Sequence, residues 1–259
     1  MLTEERCVKI TDLVEQYGSI GIAELMAALD ASESTIRRDL MLLDERGVLV
    51  RVRGGAMSKA RANGNVRGDS GVSLRKERAV PEKMAIARYA ARLVQPDDFV
   101  YMDAGTTTEL MCDCPLPDSA VFVTNAVSHA KRLSGRGLTV YLLGGEFKYL
   151  TEAVVGEDTL AALGRFNFTK GFFGANAITV TDGFTTPEPK EAMVKQVAME
   201  RTDKPYVLAD ASKFGFRTAV CFGKFRDAEI ITDAKADPAF TKYKNVLTAP
   251  VAEVRKKVS

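Results

Sequence analysis

The chain has 259 residues, 46% of them hydrophobic and 27% charged, with a formal net charge of +2. That balance suits a folded, water-soluble chain and excludes disordered and collagen-like classes. No apolar run reaches the roughly 20 residues that span a bilayer, and "MLTEERCVKI" lacks the basic-then-apolar order of a secretory leader, so a cytoplasmic protein is expected. The charge is unevenly spread. Residues 1–45 carry four basic and ten acidic side chains (−6), whereas residues 46–78 carry nine basic and two acidic (+7). A basic block beside a structured acidic segment suggests contact with a polyanion.

Ile10, Leu13, Val14 and Tyr17 recur on one helical face, and Gly18 is the expected stop. Ile22, Leu25, Met26 and Leu29 repeat the pattern in a shorter helix. After a tight connection at Asp30 and Ala31, Ser32 is a good N-cap for a third helix. That helix has Ile36, Leu40 and Leu43 on one face and Gly47 at its end. Three helices with a short turn before the third form a helix-turn-helix. In "VLVRVRGGA" (48–56), valines alternate with Leu49, Arg51 and Arg53, which suits a short strand pair, or wing.

If Ile36, Leu40 and Leu43 face the core, then Ser34, Thr35, Arg37, Arg38 and Met41 point away from it. Ser34 and Thr35 lie in the first turn, the end of a recognition helix that meets base edges. Arg37 and Arg38 are candidates for guanine edges or phosphates. Arg51 and Arg53 would bring a second basic edge to the backbone. The stretch "ASESTIRRDLMLLDERGVLVRVRGGA" (31–56) closely resembles the N-terminal signature of the DeoR family of bacterial transcription regulators. The resemblance maps Ser32, Thr35, Arg37 and Arg38 onto DNA-contacting positions and implies double-stranded operator DNA as a partner.

Residues 57–73, rich in Gly, Asn and Arg, have too little apolar surface to fold alone and read as a hinge. The expected organisation is a DNA-binding domain over 1–57, a linker over 58–73 and a second domain over 74–259.

From Pro81, which suits the first turn of a helix, helix and strand alternate. Apolar runs at 99–102, 120–125, 138–145, 170–176 and 205–213 end in small or polar residues. Segments 126–134, 157–163 and 188–201 read as helices. The expected fold is a mostly parallel α/β sheet with helices on both faces. Ligands in such folds sit beyond the C-terminal strand ends, which makes Asp103, Asn125, Gly144, Asn176 and Asp210 candidates to line a crevice.

Gly105-Thr106-Thr107-Thr108 reads either as an ordinary helix-capping turn or as an anion cradle in which glycine allows close backbone approach and the threonines add donors. It lacks the Gly-Lys-Ser/Thr ending of a Walker A loop. Lys213 in "DASK" is either a surface lysine or a second contact for the same anion. Glu191 and Lys195 stand i,i+4 and also suit a plain helix ion pair. The four cysteines, Cys7, Cys112, Cys114 and Cys221, read as free thiols. Cys112 and Cys114 have no second Cys or His pair, and His129 is the single histidine, so neither metal nor cofactor is expected.

The DeoR resemblance continues through "MDAGTTT", "VTNA", "LLGGE", "VVG", "FFGAN", "DGFTT" and "ADASKFG". It implies a sugar-phosphate sensor domain similar in fold to ribose-5-phosphate isomerase. The effector contacts it carries over are Asp103, Gly105, Thr106, Thr107, Thr108, Thr124, Asn125, Gly144, Asp182, Lys195 and Lys213. A repressor of a sugar-catabolism operon is expected, and a homo-oligomer, because one such head makes few base contacts and paired half-sites multiply affinity. "DGFTTPEPKEAMVK" is similar to fructose-operon members, and fructose 1-phosphate or another hexose phosphate fits. A sugar-phosphate isomerase is the alternative. Its D-G-A-D-E run aligns with "FGANAI" (173–178), and Asn176 stands where an aspartate base would be, leaving Glu191 as a carboxylate. A DNA-binding protein without a ligand is the third reading.

Overall fold

A computed structural model describes residues 2–17, 19–52, 54–58 and 72–250, with the side chains of residues 15–17, 73 and 74 left out. Gly18, Arg53 and most of the expected linker, including Arg61 and Arg67, lie outside the described residues. The chain divides into two compact units, residues 1–68 and 69–259.

The first unit begins with α1 (Thr3–Tyr17), β1 (Ser19–Gly21), α2 (Ile22–Leu29) and α3 (Glu33–Glu45), then β2 (Leu49–Val52) and β3 (Gly55–Ser58). Ile10, Val14, Leu25, Ile36, Leu40 and Leu43 close one core, as the helical spacing requires. Leu13 only borders that core. Ser32 Oγ accepts from Thr35 N at 3.3 Å and caps α3. The helix ends in a Schellman turn: Gly47 has φ 64°, and Val48 N reaches back to Leu43 O at 2.9 Å. Asp30, at φ 47°, is the left-handed cap of α2.

The wing differs from the expected strand pair in its number of strands. It has three strands, because β1 joins β3 in the order β1-β3-β2. It also turns Leu49 into the core while leaving Val48 and Val52 about two-fifths exposed. The third strand follows from the G-G-A turn. Gly54 takes φ +85°, and a side chain on Gly55 would strike the carbonyl of Ile20 on β1. The carbonyl of Gly54 also accepts from Ile22 N at 2.8 Å, fixing the turn to the start of α2.

The second unit starts with α4 (Val72–Lys76) and α5 (Val80–Ala91). Then come β4 (Phe99–Met102), α6 (Thr106–Met111), β5 (Val121–Thr124), α7 (Val127–Ser134) and β6 (Thr139–Leu142). A hairpin of β7 (Glu146–Lys148) and β8 (Ala153–Val155) leads to α8 (Glu157–Leu163) and β9 (Phe168–Gly174). A second hairpin, β10 (Ala177–Thr179) and β11 (Gly183–Thr186), precedes α9 (Pro189–Glu200), β12 (Thr202–Leu208) and a 3-10 turn, Ala211–Lys213. The chain closes with β13 (Val220–Gly223), β14 (Glu229–Thr232), α10 (Pro238–Thr241) and β15 (Val246–Thr248).

Seven strands form one sheet in the order β15-β14-β12-β9-β4-β5-β6. Every neighbouring pair in it is parallel. Alternate strand residues feed two cores. Tyr101, Phe173, Val207 and Ile230 pack with α8 and α9 on one face. Val100, Met102, Phe172, Leu208 and Ile231 pack with α5 and α7 on the other. Burial on both faces explains the near-continuous apolar runs. Cys112 and Cys114 belong to the second core, and burial pushes the Cys112 thiol up to about 12. All four cysteines are unbridged.

Candidate functional site

In the recognition helix the exposed face carries Ser34, Arg37, Arg38 and Met41, with Thr35 half-buried. Arg37 is held by Glu33 one turn back, Nη2 to Oε1 at 2.6 Å. Arg38 has no hydrogen bond or ion pair among the described residues. Arg51 is exposed on β2. Asp39, inside "TIRRDL", turns inward instead. It is 2% exposed and takes Arg6 of α1 through two oxygens, at 2.5 and 3.1 Å. That bidentate pair clamps the first helix to the third and raises the Arg6 pKa. Periodicity alone hides such a residue, because a carboxylate between Arg38 and Leu40 reads as surface.

The sheet places the second site. The chain steps outward from β4 through β5 to β6, then returns to lay β9 on the other side of β4 and steps outward again. The order therefore reverses between β4 and β9. In open α/β sheets ligands sit outside the C-terminal strand ends at such a reversal. Asp103 follows β4 there, and Gly174 ends β9.

Asp103 is 1% exposed. Its Oδ2 accepts from Gly174 N at 2.9 Å and from Lys195 Nζ, which comes across from α9. Lys195 Nζ also donates to Gly174 O at 3.1 Å and stands 5.6 Å from the Phe222 ring centre. The lysine and carboxylate thus tie two strands and a helix together at the switch point.

The Gly105–Thr108 turn follows directly. Gly105 is extended, at φ −165°, so left-handed freedom is not its purpose. Its missing side chain leaves room for the Thr108 hydroxyl, 3.1 Å from a built Cβ, and for Gly174 opposite, at 3.8 Å. The three threonines divide. Thr108 Oγ1 is committed to Asp103 O (2.7 Å), Gly105 O (2.9 Å) and His129 Nε2 (3.0 Å). The hydroxyls of Thr106 and Thr107 have no hydrogen-bond partner among the described residues. The first amides of α6 have no intrahelical acceptors.

Thr124 and Asn125 belong to the scaffold. Thr124 Oγ1 donates to Met102 O at 2.6 Å and accepts from Ala126 N at 3.1 Å. Asn125 Oδ1 takes Tyr101 OH (3.1 Å) and Ala104 N (3.0 Å), while its Nδ2 donates to Val154 O. Gly144 is exposed, and its carbonyl accepts from Thr159 Oγ1 at 2.7 Å. Asp182 lies in the β10–β11 turn, bonded to Thr179 (2.9 Å) and Arg217 (3.0 Å). Lys213 closes the 3-10 turn after Asp210. Asn176 accepts from Thr186 Oγ1 at 3.1 Å, and Glu191 stands 3.7 Å from Lys148 Nζ.

His129 braces the turn from below. It is 2% exposed, with Nδ1 at 3.2 Å from Ser128 Oγ. Burial, then the charges of Arg132 and Lys76, lower its pKa to about 3. The unfolded chain takes up that proton near 6.5 and the folded one resists it, so the unfolded state binds more protons in between. Stability is full above about 6.5 and declines towards pH 3, by up to about 1.4 kcal/mol per pH unit. Urea unfolding of the sensor unit across that range should show this slope, and His129→Gln should remove it.

A head that exposes arginines from a capped recognition helix, followed by a parallel α/β unit whose strand order reverses between β4 and β9, suits a DNA-binding regulator with a sensor domain. The family comparisons agree. The DeoR-like helix-turn-helix domain matches residues 6–62, and the DeoR C terminal sensor domain matches residues 78–234. The chain belongs to the DeoR family of transcription regulators. It is 39% identical to the uncharacterized HTH-type transcriptional regulator FruR of Bacillus subtilis, over 98% of this chain and 100% of that protein. It is 32% identical to the lactose phosphotransferase system repressor of Streptococcus mutans, over 93% of this chain and 96% of that one. Among solved structures it is similar to ribose 5-phosphate isomerase A of Methanocaldococcus jannaschii, with a TM-score of 0.37, 13% identity and coverage of 51% and 53%. Among the described residues no helix is long and apolar enough to cross a membrane, and no cluster of three or more His, Cys, Asp or Glu could hold a metal.

Proposed function

We propose that this regulator represses a sugar-catabolism operon in the cytoplasm and leaves its operator when a phosphorylated sugar enters the sensor crevice. The observation that carries the reading is the Asp103–Lys195–Gly174 junction at the strand-order reversal, beside two threonine hydroxyls that have no hydrogen-bond partner among the described residues. The carboxylate and ammonium suit hydroxyl and carbonyl oxygens of a sugar. Thr106, Thr107 and the amides of α6 suit its phosphate. Gly105 keeps the turn close enough for both. Thr108, Thr124, Asn125 and Gly144 hold the crevice in shape, and Asp182 anchors the neighbouring hairpin.

Operator contact is assigned to Ser32, Ser34, Thr35, Arg37, Arg38, Arg51 and Arg53. Glu33 orients Arg37 along the helix, and Arg38 is the side chain that must find its partner in DNA. One such head makes few base contacts, so paired heads in a homo-oligomer support tight binding. The effector acts only by binding one arrangement of the heads better than another. Gel-shift titration with the chain's own promoter DNA, with and without phosphorylated sugars, tests the reading. Release by a sugar phosphate and not by the free sugar is the expected result.

Two variants separate the parts. Arg38→Ala should weaken operator binding by about 1–3 kcal/mol, roughly 5- to 150-fold. Thr107→Val should leave operator affinity unchanged and raise the effector concentration needed for release. An exchange of these phenotypes would reverse the assignment.

A further inference from the structure

Beyond the residues assigned so far stands Lys83, on the first turn of α5. It is 4% exposed, and its Nζ donates to the carbonyl of Arg75. An ammonium has three donors, and among the described residues no second acceptor takes one. Helix α5 leads into β4, so its N-terminus lies on the side of the C-terminal strand ends, where the effector is proposed to bind. It packs against α6, β12 and β14. The ends of those strands supply Asp210 and the Lys213 turn.

Lys213, Arg75 and Arg78 act on Lys83 with the same sign, and Asp210 opposes them. Burial and these cations lower its pKa to about 8. The other nearby acids are engaged. Glu82 is paired with Lys235 at 2.5 Å. Asp233 accepts from the amides of Ala211 (2.7 Å) and Lys235 (2.8 Å). Glu109 of α6 holds Lys76 (3.1 Å) and Arg132 (3.2 Å). A buried ammonium held by a single acceptor is costly unless an anion joins it.

We propose that Lys83 is an anion contact of the sensor crevice, gripping the phosphate of the effector together with Lys213. The assignment deepens the sugar-phosphate reading and rests on it. An arriving phosphate restores the Lys83 proton, so binding in mildly alkaline solution takes up protons from the buffer. Phosphate itself contributes little there, being already a dianion.

Calorimetric titration of the full chain at about pH 8.5, in two buffers of different ionisation enthalpy, reads affinity and proton uptake together. The titrants are inorganic phosphate, fructose 1-phosphate and fructose, against wild type and Lys83→Met, with melting temperatures recorded to verify folding. Wild type should bind both phosphates with proton uptake. Lys83→Met should bind them about tenfold more weakly or worse, without uptake. Unchanged affinity in folded Lys83→Met, or no uptake by wild type on binding, overturns the role of Lys83 and leaves the sugar-phosphate reading standing. The wild-type uptake is decisive even should the variant fail to fold. Wild type that binds neither phosphate compound overturns both.

Discussion

Asp103→Ala is expected to lower the stability of the sensor unit by about 3–5 kcal/mol, the cost of leaving a buried charge without its partner. The carboxylate is 1% exposed, and Lys195 is 5% exposed. Removing Asp103 also orphans Gly174 N, which donates to the same oxygen at 2.9 Å. For a unit of this size the loss corresponds to a melting shift of roughly 6–20 °C. Thermal unfolding followed by calorimetry should show it in the sensor transition alone, with the head transition unmoved. The double change Asp103→Leu with Lys195→Met should recover part of the loss, because paired burial of apolar groups removes both desolvation costs. Recovery would be partial, since Gly174 N stays unsatisfied. A melting temperature unmoved by Asp103→Ala would show that the ion pair is not what holds β4, β9 and α9 together.

Gly55→Ala is the second large effect. A methyl group there would collide with the carbonyl of Ile20 and lie 3.0 Å from the Cα of Gly21. Both are backbone, so neither can rotate away. The β1–β3 pairing must open, and the expected cost is about 3 kcal/mol, at the upper end of overpacking. Gly54→Ala is the control. It meets nothing within 4 Å but sits at φ +85°, so its cost should be about 1–2 kcal/mol. Circular dichroism melting of the head and gel shifts with operator DNA should rank the two variants in that order. Effector binding by the sensor unit should be the same in both. Equal penalties would mean that turn conformation, and not strand approach, selects the G-G pair.

Much of this arrangement is legible in the sequence. Helix spacing in the head, the Ser32 cap and the alternation of apolar runs with helices are local properties, set by periods of 3.6 and 2 and by capping chemistry. Strand ends at Asp103 and Asn125 follow from where apolar runs stop, whereas the run read as 170–176 ends at Gly174. Other features are hidden. The strand β1 is three residues long, too short to carry a period, and exists because β3 can lie against it. Lys83 carries a faint signal, since it shares its helical face with the buried Ala87 and Ala90. A lysine on an apolar face reads as a snorkelling surface residue until its surroundings are known. Thr106, Thr107 and Thr108 are indistinguishable as three hydroxyls in a row. Only contacts with Asp103, Gly105 and His129 separate the structural threonine from the two left open.

By itself the amino-acid sequence determined the two-part plan, the cationic recognition helix and the parallel α/β class, because each depends on interactions a few residues apart. The tertiary structure alone decided which strands flank the order reversal. It also decided that Lys195 meets Asp103 across 92 positions and that Asp39 turns inward to Arg6. Those pairings depend on how distant segments come together, and the identities of neighbouring residues along the chain carry no record of that.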